Sequence, residues 1–135
     1  MEYSTSRSFP FEIHDISSGF QVAKGLFKLK KDSIELEYEV EDAILGIISS
    51  GVESAHLSYE DLESIQYKKG WFSAKVILKA TSMHVLEKVP GSEQATATLK
   101  VKRKNRKEAQ SVVSKARMRF SEFRLDQLEN GDTDE

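Results

Sequence analysis

Cysteine is missing from this sequence altogether. That excludes disulfides, thiol nucleophiles and thiolate-held metals, so the fold rests on its apolar core. At 135 residues the chain suits one domain. A chain of this size buries roughly two thirds of its unfolded surface and needs no staple. Long apolar runs are missing too: the longest, "AILGII" at 43–48, is far too short to span a bilayer. The opening "MEYSTSRSFPFEIHD" has no apolar stretch of the kind that directs secretion. A cytoplasmic location is the expectation.

Catalytic patterns are equally scarce. The three histidines, His14, His56 and His84, lie far apart, with no spacing that suits a metal. The segment "GSEQA" lacks the lysine of a phosphate-binding loop. No serine elbow occurs. Glu60, Asp61 and Glu63 cluster, but read as a solvated turn rather than as paired acid and base. The expectation is a protein that is not an enzyme, with no catalytic, cofactor or metal site.

Charge of one sign is missing from whole segments. Residues 32–63 hold ten acidic residues and no Lys or Arg, whereas residues 100–124 hold ten Lys or Arg against Glu108 and Glu122. The plain reading is two solvated faces of one globule, partly facing each other. The other reading is an electrostatic surface for a partner or a second copy.

What the chain does have is alternation. Ile34, Leu36, Tyr38 and Val40 alternate with Glu35, Glu37, Glu39 and Glu41, which makes one buried face and one glutamate ladder. Phe27 and Leu29 precede a turn centred on Lys31-Asp32, which predicts Phe27 opposite Leu36 and Lys28 opposite Glu35. Further strands are read at 55–58, at "LESIQYKK", at 72–80, at "MHVLEKVPG" up to its Pro90-Gly91 turn, and at "ATATLKVKR". Residues 43–56 are a long connection or a helical turn, expected to cover the core as a lid rather than to stand exposed as an interaction loop. In "YKKGWFSAKVILKA" the parity places Phe72 inward with Ala74, Val76 and Leu78. Trp71 falls on the outer face, either exposed as a candidate contact or covered by residues 43–56 or the lead-in.

Then the period changes. Asn105 and Glu108 match a capping box, and Ala109, Val112, Val113, Ala116, Phe120 and Phe123 recur at spacings of three and four. That predicts one amphipathic helix of about five to seven turns. Residues 1–19 read as a loosely ordered lead-in with an extended piece at 11–13, residues 20–129 as the folded domain, and residues 130–135 as a disordered acidic tail. The fold class is α+β: seven antiparallel strands in a bent sheet or split barrel, capped by one long C-terminal helix.

This pattern resembles the pleckstrin-homology-like superfold. The stretch from Leu57 to Val113 is similar to a mainly bacterial family of such proteins. The resemblance rests on the Asp61-Leu62 step, the Gly-aromatic turn, the Val89-Pro90-Gly91 turn, and the basic strand that runs into Arg106-Lys107-Glu108-Ala109. Its best-known use, binding of phosphoinositide headgroups, needs a cation in the second strand of the first hairpin. Here that strand offers Glu35, Glu37 and Glu39, so specific phosphoinositide binding is not expected. What the resemblance implies is an interaction module for a protein partner or for self-association. The candidate surface is Lys68, Lys69 and Trp71, with Lys102, Lys104 and Arg106 of "KVKRKNRK" as a second patch. Peripheral attachment to an anionic membrane through the Lys68/Lys69/Trp71 turn, with Trp71 and Phe72 inserting and Lys75 assisting, is the first alternative. A carrier of a small apolar ligand is the second. The basic stretch lacks interleaved aromatics, so nucleic acid is not an expected partner.

Overall fold

A computed structural model of the chain describes residues 7–48 and 50–132. Period-two segments supply seven strands: β1 (Ser8–Ile16), β2 (Gln21–Leu29), β3 (Ser33–Asp42), β4 (Glu53–Ser58), β5 (Leu62–Lys69), β6 (Ser73–Ala80) and β7 (Thr96–Lys102). They form one sheet in the order β4-β3-β2-β1-β7-β6-β5, with every neighbouring pair antiparallel. β4 and β5 do not pair with each other, so the sheet is bent but not closed into a barrel. A 27-residue helix, α1 (Arg106–Asp132), follows β7. The α+β expectation of seven antiparallel strands and one long C-terminal helix holds.

One of the seven strands is not where the sequence placed it. The segment "MHVLEKVPG" forms a 3-10 turn at Met83–Leu86 instead of a strand. Its apolar residues Leu86 and Val89 plug into the core rather than alternating across a sheet. The hydroxyl of Tyr38 donates to the carbonyl of Lys88 and ties this segment down. The Pro90-Gly91 turn is present, with Gly91 at a φ of +73°.

The missing strand is β1, inside the supposed lead-in. Phe9, Phe11 and Ile13 alternate and are buried. The Phe9 ring stacks on Phe27 with centroids 4.6 Å apart. β1 is central, lying between β2 and β7. Its ladder with β7 consists of the single pair Glu12↔Lys100. Pro10 lies on the Ser8 side of that pair, where a residue without an N–H is tolerated. Serine and proline around the alternation concealed it. Residues 1–6 of the lead-in lie outside the described residues.

The β2–β3 hairpin has the expected register: Phe27 faces Leu36, Lys28 faces Glu35, and Lys30 N donates to Ser33 O across the Lys31-Asp32 turn. At Gly25 the strands approach so closely that a Cβ would lie 2.0 Å from Glu37 O, so no side chain is admitted there.

α1 buries Ala109, Val112, Val113 and Ala116, the predicted face, against β1, β5, β6 and β7. Small residues let it lie close to the sheet, and each buried valine contributes roughly 1.5–3 kcal/mol. Farther along, Phe120 and Phe123 each hold the Tyr59 ring at 6.2 Å. Beyond them the helix continues to Asp132, so the first three residues of the expected disordered tail are helical. Residues 133–135 lie outside the described residues.

Candidate interaction surface

The β5–β6 hairpin closes by a two-residue turn. Gly70 N donates to Ser73 O at 2.8 Å, which leaves Trp71 and Phe72 at the tip. A Cβ on Gly70 would meet Ser73 O at 2.6 Å, so the closure needs glycine. Both aromatics project from the body: Trp71 is 81% and Phe72 76% exposed, and their rings touch edge to face at 6.3 Å. This corrects the expectation for Phe72, which is not a core residue, and among the described residues Trp71 stands exposed rather than covered. Parity assigns a face only while the strand continues, and the turn takes both residues out of the ladder before parity reaches them.

Behind the tip lies a row that no single segment reveals. Lys68 pairs with Lys75 across β5–β6, and Lys75 pairs with Lys100 across β6–β7. All three are exposed. Like charges directly opposite one another destabilise a sheet. Lys79 and Lys102 share this outer face, and its other positions are Ser64, Gln66, Ser73, Ile77, Thr96 and Thr98. The one carboxylate on these three strands is Glu63, exposed at the bulge between Leu62 and Ser64, at the Lys79 end of the face. Among the described residues, Lys68, Lys75, Lys79 and Lys100 enter no ion pair.

The two predicted patches are one. The Arg106 guanidinium donates to Gly70 O at 2.9 Å, and the Tyr67 hydroxyl donates to Arg106 O at 3.3 Å. Lys102 stands opposite Ser73, the residue that leaves the tip. Lys69 ends β5 and Lys104 lies in the 3-10 turn Arg103–Asn105; both are exposed. The helix start therefore brings the "KVKRKNRK" cations to the aromatic turn. Lys79 and Lys100 were not among the predicted site residues.

Glu12 of β1 borders this face. Its carboxylate lies 3.2 Å from Lys102 Nζ and 2.8 Å from His14 Nε2. Partial burial works against its charge. The hydrogen bonds from His14 and Lys102, with the Lys102 charge, outweigh that and hold the Glu12 carboxyl below its ordinary range.

On the β2–β3 hairpin the same residue types are arranged differently. Lys24 lies 2.8 Å from Glu41, Lys28 3.1 Å from Glu37, and Lys30 4.0 Å from Glu35. Lys28 directly faces Glu35 and Lys24 faces Glu39, so these two reach two residues farther along β3. Right-handed twist brings that diagonal together. The glutamate ladder thus finds its cations on β2, not in the basic segment 100–124.

A second apolar group is exposed. Ile44, Leu45, Ile47, Ile48 and Val52 face solvent beside Phe20, whose carbonyl accepts from Ala43 N. This corrects the expected lid. Asp42 accepts from Ile44 N and Leu45 N at 2.8 and 2.7 Å, which turns the chain away from the core. These bonds lower the pKa of Asp42.

A cleft of about 330 Å³ lies where β1 and β7 separate, with Glu12, Lys24, Lys100, Lys102 and Lys104 among its walls. Pro10, Phe11 and Gly25 complete the lining, so the cleft is part cationic and part apolar. Among the described residues no group of three or more His, Asp and Glu is placed to hold a metal ion, and no helix is long and apolar enough to cross a membrane. Compared with protein-family models, curated proteins and solved structures, the chain shows no match.

Proposed function

We propose that this chain is a non-enzymatic, pleckstrin-homology-like interaction module that engages an acidic partner through the Trp71-Phe72 tip and the lysine face behind it. The strand order β4-β3-β2-β1-β7-β6-β5 with a terminal helix packed on the sheet supports the pleckstrin-homology-like label. The observation that carries the function is the hydrogen bond from Arg106 to Gly70 O, which joins an exposed aromatic pair to a face of unpaired cations. Tryptophan and arginine are the residue types that dominate binding hot spots. Charge-driven self-association has less support, because Glu35, Glu37 and Glu41 already hold lysines of their own hairpin.

The test compares capture of partners from the native host by wild type and by a Trp71→Ala/Phe72→Ser variant. The variant alters only exposed side chains, so its thermal melting should match wild type while the captured material is lost. An unchanged set of partners would remove the tip from the working surface.

A further inference from the structure

We infer that the acidic partner is the surface of an anionic lipid bilayer, with the hairpin tip inserted at the interface and the lysine face lying against the headgroups. This rests on the interaction-module reading and names its partner.

Depth is the first argument. Arg106 is held at Gly70, directly beside the tip. Lys69 precedes Trp71 by two residues and Lys68 by three, and Lys75 follows Phe72 by three. At roughly 3.3 Å per strand residue, the cations lie from a few ångströms to about 10 Å behind the aromatic rings. Interfacial segments sink about 5–10 Å into the headgroup boundary. Rings placed at that depth bring the cations level with the charged groups.

Shape is the second. Trp71 and Phe72 stand exposed at the end of a hairpin with their rings edge to face. Aromatic rings of this kind favour membrane–water interfaces. Lys68, Lys75 and Lys100 span about 10 Å across three strands without a focal point. A broad sheet of negative charge relieves their mutual repulsion; a single carboxylate or phosphate relieves only part of it.

The third argument is the contrast with the first hairpin. Its lysines are occupied by Glu35, Glu37 and Glu41. The available cations are on the other half of the sheet, so recognition follows total surface charge rather than the identity of one headgroup.

The chain's single tryptophan is the reporter. Full-length protein is mixed with vesicles of phosphatidylcholine alone and of phosphatidylcholine with phosphatidylserine, and Trp71 emission and vesicle flotation are read. The expected result is a blue shift and flotation only with phosphatidylserine, both reversed by salt. Lys75→Ala and Lys100→Ala should each lower partitioning about fivefold, as expected for one cation at an anionic surface. Phe72→Ser should lower it and keep the reporter. Ile44→Ser/Ile47→Ser, which alters the other apolar group, should leave it unchanged. Vesicles with a phosphoinositide at matched charge should bind no better than those with phosphatidylserine.

The inference is overturned by absence of phosphatidylserine-dependent flotation, by binding that survives Lys75→Glu/Lys100→Glu, or by loss of binding in the Ile44/Ile47 variant alone. A marked preference for the phosphoinositide at matched charge overturns it as well. If flotation is absent while Trp71→Ala/Phe72→Ser still abolishes capture of a protein, the bilayer falls and the module stands. If the tip variant changes neither, both fall.

Discussion

The two halves of the sheet both carry lysines on their outer faces and use them in opposite ways. On β2 and β3, Lys24, Lys28 and Lys30 each reach a glutamate, and the face is close to neutral. On β5, β6 and β7, Lys68, Lys75 and Lys100 face one another with no acid between them. The first arrangement serves the fold. The second works against it, because like charges directly opposite are destabilising. Within the chain Glu12, opposite Lys100 at the end of the row, is the acid placed to offset part of that cost, and the exposed Trp71-Phe72 tip stands beside the row. The comparison teaches that a charged face is a functional signal when its charges are unanswered, whatever their number.

The largest effect comes from breaking what holds the two halves on one sheet. β1 does so, and Phe9 is its anchor, fully buried and stacked on Phe27. Phe9→Ala should cost about 3–5 kcal/mol, read as a lowered midpoint in urea. A loss below about 1 kcal/mol would mean that β1 is dispensable and the two faces do not depend on a common core.

A smaller change sharpens the contrast between the faces. Lys75→Glu places an acid between Lys68 and Lys100 and should raise stability by about 0.2–1 kcal/mol. Lys28→Glu removes an answered lysine and should lower stability by a similar amount. Chemical denaturation of the two variants side by side decides it. If both lower stability alike, the lysine row is not under repulsion. On the reading above, the stabilised Lys75→Glu protein is also the one that loses its partner.

The smallest effect concerns the border. Glu12 has its folded pKa lowered, so the stability it contributes is present in full at neutral pH and is lost as pH falls through that folded value. Wild type and Glu12→Gln should therefore differ at neutral pH and converge in acid, below the ordinary carboxylate range. A gap that persists in acid would assign the role of Glu12 to packing rather than charge.

Much of the fold was legible in the residues themselves. The register of Phe27 with Leu36 and the buried face of α1 both follow from local periodicity, which one segment contains whole. β1 is legible only as an extended piece at 11–13 because Pro10 interrupts the run between Phe9 and Phe11, and only its partners β2 and β7 show that the segment is central. The strand expected at 83–89 failed for the converse reason: a short apolar run has no preferred period until the core assigns Leu86 and Val89 their places. The candidate site divides the same way. Trp71 stood out by its rarity and Lys102, Lys104 and Arg106 by their density. Their union depends on the hydrogen bond from Arg106 to Gly70 O between residues 36 positions apart.

By itself the sequence determined the fold class, the hairpin turn at Lys31-Asp32 and the inward face of the helix, because each depends on spacing within one element. Only the tertiary structure decided that Phe72 belongs to a tip and that three lysines from three strands form a row. It also decided that the glutamate ladder is answered from β2. Pairing across strands is set by register and twist, and those are properties of the assembled sheet.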